Sequence, residues 1–131
     1  MSIRREGPVT QRLLQLLRTH PGPDAARVGS LDAPITPHAS MSRRQAVAIF
    51  EAAIQSRLQD LLSRELKDKG ISYYTIGSSV HEANAIAGEL LRATDTAFLH
   101  YRSGGFMAAR LRKGRGETPF FDAMLSFCAS A

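Results

Sequence analysis

The chain lacks the features of a disulfide-linked, zinc-binding or membrane-embedded protein. Its 131 residues include one cysteine, Cys128, which can form neither an internal disulfide nor a zinc site alone. No apolar run is long enough to span a bilayer, and the first residues lack the hydrophobic stretch of a secretory signal. We therefore expect a soluble protein of a reducing, cytoplasmic compartment in which Cys128 is buried and unreactive.

Acidic side chains are missing from one stretch. Residues 98–115 hold five cationic side chains and no acid, in a chain of formal net charge +5. Within this stretch, Tyr101 and Arg102 precede a Ser-Gly-Gly turn. A guanidinium, a phenol hydroxyl and accessible glycine amides are suited to a phosphate ester. The sequence therefore predicts an anion site at Tyr101 and Arg102. Two structural alternatives remain open: Tyr101 packs in the core, and Arg102 caps a helix or pairs with Asp95.

The cations after this turn form a solvated basic face in the simplest interpretation. They are Arg110, Arg112, Lys113 and Arg115. Residues 102–115 could instead make the chain a small helical nucleic-acid-binding module, because cations follow phosphates and aromatic rings stack on bases. They could also serve a protein-interaction module. No helix-turn-helix or comparable signature supports nucleic-acid binding.

Hydrophobic periodicity predicts a mostly α chain with short β segments. Residues 1–40 are expected to form a helix over 8–19 and a Pro-rich arm without structure of its own. Residues 41–131 are expected to form one domain. It begins with an amphipathic helix over 42–69, which Ser42 and Gln45 start as a capping box and Gly70 ends. The apolar positions of this helix recur every three or four residues and are Ala46, Phe50, Ile54, Leu58, Leu61, Leu62 and Leu66.

The second half of the chain alternates short elements. We expect a β-type segment over 71–76, a polar loop over 77–79 and a helix over 81–93. A buried strand or extended segment is expected over 97–99. Two further helices are expected, over 105–112 and from Thr118 onward.

The order of these elements and their sequences resemble a known family. The specific part is Gly-Ile-Ser-Tyr-Tyr over 70–74, His-Glu-Ala-Asn-Ala-Ile-Ala-Gly over 81–88 and Phe-Leu-His-Tyr-Arg-Ser-Gly-Gly over 98–105. Residues 41–131 resemble the N-terminal segment of the alpha subunit, or alpha half, of the thiamine-diphosphate-dependent decarboxylating component of 2-oxo acid dehydrogenases. The resemblance implies the N-terminal part of an α/β thiamine-diphosphate-binding fold.

The resemblance also implies site residues. Tyr101 and Arg102 would contact the cofactor diphosphate, and four residues would line the approach to the active site: Ser78, Ser79, His81 and His100. Relatives carry Gly-Gln-Glu or Gly-Glu-Glu where this chain reads Val-His-Glu over 80–82, so His81 is alternatively a helix-cap residue. His100 is alternatively a buried, hydrogen-bonded imidazole.

Parts of the family pattern are missing. The Gly-Asp-Gly motif that binds magnesium and diphosphate in relatives does not occur in this sequence, so no catalytic residue or metal ligand is expected here. The expected cofactor is thiamine diphosphate with magnesium in the complete enzyme. The expected partners are the remainder of the alpha chain, a beta subunit or half, and a lipoyl-bearing acyltransferase, in an oligomer. Residues 1–131 alone are expected to be inactive and to belong to a longer enzyme.

Overall fold

α-Helices make up most of the secondary structure. The computed structural model describes residues 7–22, 29–73, 77–114 and 118–129. The chain divides into two compact units, Met1–Ser30 and Leu31–Ala131. Within the described ranges, the β pairing consists of one isolated bridge between Pro34 and Ser42. The prediction of a mostly helical chain is confirmed.

The first unit contains helix α1, Gly7–Thr19, which matches the predicted 8–19. At its end the Thr19 hydroxyl donates a hydrogen bond to the Gln15 carbonyl at 2.9 Å. Gly22 then adopts a left-handed φ of 75°, and its amide donates to Nδ1 of His20 at 3.2 Å. The chain therefore leaves the helix where its His-Pro-Gly sequence predicts.

Part of the Pro-rich arm is ordered, contrary to our prediction. The Ile35 amide donates to the Met41 carbonyl, and the Arg43 amide donates to the Ala33 carbonyl, each at 3.0 Å. The Arg44 guanidinium also bonds to the Asp32 carboxylate at 2.8 Å. These bonds fold residues 31–42 back onto the start of the next helix, and backbone pairing of this kind does not need large apolar side chains.

Helix α2, Arg43–Asp68, confirms the predicted long helix. Ser42 accepts from the Gln45 amide at 3.2 Å, and the Gln45 side chain accepts from the Ser42 amide at 3.0 Å. Gly70 follows the helix with φ 71°, the left-handed conformation that glycine adopts without steric cost.

Part of the apolar side of α2 faces outward. Val47, Phe50, Ile54 and Leu58 are 47%, 65%, 41% and 48% exposed, respectively, whereas Leu61, Leu62 and Leu66 are partly buried. The fully packed positions carry small or polar residues: Ala52, Ser56, Gln59, Asp60 and Ser63. Amphipathicity located the helix correctly, but its most buried positions are not the large apolar ones. We name Val47, Phe50, Ile54 and Leu58 the α2 stripe.

Four further elements follow. They are a 3-10 turn Glu82–Asn84 (η1), α3 Ala85–Leu90, α4 Gly104–Leu111 and α5 Pro119–Ala129. The helix predicted over 81–93 is shorter. It ends at Leu90, where the Lys113 ammonium donates hydrogen bonds to the Gly88 and Leu91 carbonyls at 3.1 and 2.7 Å. α4 and α5 match their predictions.

Among the described residues, the predicted β segments do not pair. Residues 96–100 are irregular, and Phe98 is fully exposed, so the buried strand expected over 97–99 is wrong. Residues 71–73 form no strand, and 74–76 lie outside the described residues. In α5 Met124 is buried, but Cys128 is only partly buried.

Small residues let α2, α3 and α4 pack closely. One buried cluster is made of four alanines with Ile49 beside them: Ala52, Ala85, Ala108 and Ala109. Phe106 and Met124 are buried as well. A Cβ placed on Gly88 would lie 2.4 Å from the Phe106 carbonyl oxygen, and one on Gly105 would lie 2.7 Å from the Glu82 carbonyl oxygen. Because carbonyls of a packed backbone cannot yield, glycine is required at these two contacts. None of the described helices is both long and apolar enough to cross a membrane.

Candidate functional site

His100 is the first residue of the turn before α4, and its hydrogen bonds close that turn. The His100 carbonyl accepts from the Ser103 amide at 2.9 Å, and the His100 amide donates to the Ser103 hydroxyl oxygen at 3.3 Å. The imidazole Nδ1 of His100 also accepts from the Arg102 amide at 3.1 Å. These three bonds fix Tyr101 and Arg102 immediately before the helix.

Helix α4 begins without a side-chain cap. Ser103 occupies the N-cap position but makes no capping hydrogen bond, because its hydroxyl oxygen accepts from the His100 amide instead. A serine at this position ordinarily satisfies one of the first helical amides. Uncapped first-turn amides at the positive end of the helix dipole favour an anion.

Arg102 has a donor without a partner. Its Nε is buried and bonds to no other group among the described residues, while its guanidinium carbon lies 5.6 Å from the centre of the Tyr101 ring. Tyr101 is 64% exposed, so it does not pack in the core. Asp95 pairs with Arg92 at 2.8 Å rather than with Arg102. Core packing of Tyr101 and a pair between Arg102 and Asp95 therefore do not fit the structure.

Two histidines, His81 and His100, lie beside Tyr101 and Arg102. The His81 and His100 rings meet edge to face with centroids 5.7 Å apart, and the His100 and Tyr101 rings do so at 5.6 Å. His100 is exposed rather than buried as its alternative interpretation required. The His81 side chain makes no capping hydrogen bond to η1. Four of the six predicted site residues thus lie together: His81, His100, Tyr101 and Arg102.

The other two, Ser78 and Ser79, bond to α2 instead. The Ser78 hydroxyl lies 3.0 Å from the Ser56 hydroxyl, and the Ser78 amide donates to the Asp60 carboxylate at 2.7 Å. Ser79 accepts from the Arg57 guanidinium. Ser78 is 4% exposed, so its hydroxyl stabilises the position of the loop and is not presented to solvent.

The loop between these serines and His81 carries backbone strain. Val80 has φ 68° and is 89% exposed. A β-branched residue in the left-handed region is uncommon and costs about 1–3 kcal/mol. The bond from the His81 amide to the Ser78 carbonyl, 2.8 Å, closes the turn that holds Val80 there. Strain of this kind clusters at functional sites.

Asp60 is the acid beneath this loop. Burial raises the pKa of its carboxyl, and the Ser78 hydrogen bonds and the cations Arg57 and Arg64 oppose that rise without cancelling it. Arg57 lies 3.6 Å from Asp60 and 3.9 Å from Glu82. Arg57 therefore connects α2 to η1 as well as to Ser79.

Sequence reasoning missed the α2 residues that support the loop. They are Ser56, Arg57 and Asp60. Ser56 and Asp60 are four residues apart, which places them on one side of the helix. That spacing of polar residues is the signal in the sequence for a polar side of α2.

The basic residues after the turn bond to backbone carbonyls. Arg110 donates to the Ala93 carbonyl at 2.6 Å and to that of Asp95. Arg112 donates to the Ala48 carbonyl at 2.9 Å and pairs with Glu51 at 2.8 Å. The Lys113 ammonium donates hydrogen bonds to the carbonyls at the end of α3. These three cations hold helices together, and Arg115 lies outside the described residues.

Among the described residues, no group of three or more histidine, cysteine or acidic side chains is placed to hold a metal ion. Comparison with protein-family models, curated proteins and solved structures gives no significant match to this chain.

Proposed function

We propose that this chain binds the diphosphate of thiamine diphosphate as part of the decarboxylating component of a 2-oxo acid dehydrogenase. The proposal combines the residue resemblance with the anion site. Its main support is the Arg102 Nε, a buried donor without a partner that precedes the uncapped N-terminus of α4. A guanidinium beside helix-terminal amides can take up phosphate oxygens by charge-assisted hydrogen bonds.

The residues of this chain would position the cofactor. Arg102 would hold the diphosphate beside the start of α4, and the exposed Tyr101 hydroxyl would donate to a further oxygen. When bound, thiamine diphosphate supplies the carbon nucleophile and electron sink for loss of carbon dioxide from a 2-oxo acid. His81 and His100 would lie beside the diphosphate end, and Ser78 and Ser79 would support the loop that carries His81. Metal ligands would come from outside this segment.

The α2 stripe supports the proposed partners. Contiguous exposed apolar side chains mark surfaces that another protein covers. We assign this surface to the remainder of the alpha chain and to a beta subunit or beta half, in an oligomeric, cytoplasmic enzyme that passes its acyl group to a lipoyl-bearing acyltransferase. A protein-interaction module would use such a surface too. Thiamine diphosphate binding distinguishes the two, because a pure interaction module has no use for the anion site.

A ligand series tests the proposed function. Isothermal titration of the complete enzyme, with magnesium and the partner subunit present, with thiamine diphosphate, thiamine monophosphate and thiamine should give affinities that fall in that order, because each lost phosphate removes contacts to Arg102. Equal affinities for the three ligands, or no binding of the diphosphate, would contradict the proposal. Binding of nucleic acid with a steep dependence on salt would favour the module at residues 102–115.

A further inference from the structure

His100 makes one contact that neither packing nor the resemblance requires. Its Nδ1 accepts the backbone amide of Arg102, two residues later, at 3.1 Å. Asparagine and aspartate make the same bond in an Asx turn, where a side-chain oxygen accepts the amide two residues on. The imidazole therefore acts as the acceptor that fixes the backbone of the arginine at the proposed anion site.

We propose that His100 is a positioning residue for Arg102. As an acceptor, its Nδ1 carries no proton, so in the neutral ring the proton is on Nε2. The Arg102 amide is thereby directed into the turn, and the side chain leaves the backbone with its Nε buried. The inference rests on the proposed function for the anion that Arg102 binds. The contact between His100 and Arg102 itself is independent of the ligand's identity.

Two substitutions separate this role from simple packing. His100→Asn keeps an acceptor bonded to Cγ in the Asx-turn position and removes the ring. His100→Phe keeps an aromatic ring against His81 and Tyr101 and removes the acceptor. A positioning role requires the first variant to bind anions like the wild type and the second to bind more weakly. A packing role requires the reverse order.

The measurement is the affinity for inorganic pyrophosphate at pH 8. We expect His100→Phe to weaken binding about three- to tenfold, the equivalent of one neutral hydrogen bond, and His100→Asn to stay within about twofold of wild type. Wild-type-like affinity in His100→Phe would overturn the inference. Arg102→Ala serves as the reference that abolishes the guanidinium contact.

The outcomes separate the two proposals. If Arg102→Ala weakens pyrophosphate binding and His100→Phe does not, the positioning role fails and the anion site stands. If Arg102→Ala has no effect, or the wild type does not bind, both fail. If a variant folds poorly, a nuclear magnetic resonance measurement on the wild type tests the inference instead. The wild-type His100 ring should show an unprotonated Nδ1 and a proton on Nε2. A proton on Nδ1 in the neutral ring would overturn the inference by itself.

Discussion

The hydroxyl oxygens of Ser56 and Ser78 lie 3.0 Å apart and are buried. This contact, with the bond from the Ser78 amide to Asp60, attaches the loop of residues 77–81 to α2. The loop in turn carries His81 to the ring of His100. The polar side of α2 therefore determines where the proposed anion site lies.

Ser56→Ala should destabilise the protein by about 1–3 kcal/mol, because it leaves the buried Ser78 hydroxyl without this partner. Ser72→Ala is the matched control. The Ser72 hydroxyl is also buried, but it has no hydrogen-bond partner among the described residues, so its removal should cost nothing or stabilise. Urea denaturation followed by circular dichroism measures both. Equal losses in the two variants would contradict the role of the Ser56–Ser78 contact.

Phe50→Ala should change the free energy of unfolding by no more than about 0.5 kcal/mol, because Phe50 is 65% exposed and exposed substitutions have small effects. Ala52→Leu, two residues along α2, should cost about 1–3 kcal/mol, because Ala52 is fully buried and overpacking strains the core. The same denaturation experiment applies. A loss above about 1 kcal/mol for Phe50→Ala would mean that the α2 stripe is covered within the chain.

The pKa of Asp60, raised by burial, predicts a pH dependence of stability. The folded protein retains this proton to higher pH than the unfolded chain, so the contribution of Asp60 to stability falls as pH rises from the ordinary value of 3.8 through the raised pKa. Asp60→Asn removes this titration and keeps an oxygen for the Ser78 amide. The stability of wild type relative to Asp60→Asn should therefore fall with rising pH.

Asp95→Asn provides a control of opposite sign. Hydrogen bonds from the Arg92 side chain and then from its amide lower the pKa of Asp95. The stability that Asp95 contributes is therefore present above the ordinary carboxyl pKa and lost as pH falls through the lowered one. The stability of wild type relative to Asp95→Asn should therefore rise with rising pH. Slopes of the same sign for Asp60 and Asp95 would contradict the burial argument.

Local signals in the sequence were sufficient for α1, α2, α4 and α5 and their ends, but not for α3. The capping box at Ser42 and the left-handed Gly70 were predictable because each depends on nearby backbone groups. The packed side of α2 was not predictable from hydrophobicity, because alanines, serines and Asp60 form the contact with the other helices while Phe50 stays exposed. Close backbone approach, as at Gly88, selects small residues over large apolar ones.

The candidate site was predictable in part. Tyr101 and Arg102 stood out by their charge and by the glycine turn, and the structure places both histidines beside them. Ser78 was assigned to the approach, yet it bonds to α2, because a sequence does not show which side of a loop a hydroxyl faces. The spacing of Ser56 and Asp60 indicates a polar side of α2, but their partners lie 22 and 18 residues away in sequence, so no local pattern identifies the loop that they hold.

Arg102 is the central residue of the proposed diphosphate site, and one titration tests its role. Thiamine diphosphate is titrated into the wild type, Arg102→Ala and the control Arg44→Ala. The control removes the same charge near the start of α2, about 18 Å along the helix from Ser56. We expect Arg102→Ala to lose about 1.5–3 kcal/mol of binding free energy, the contribution of a hydrogen bond to a charged group, and Arg44→Ala to bind like wild type. Equal affinity in all three proteins would contradict the proposed diphosphate site.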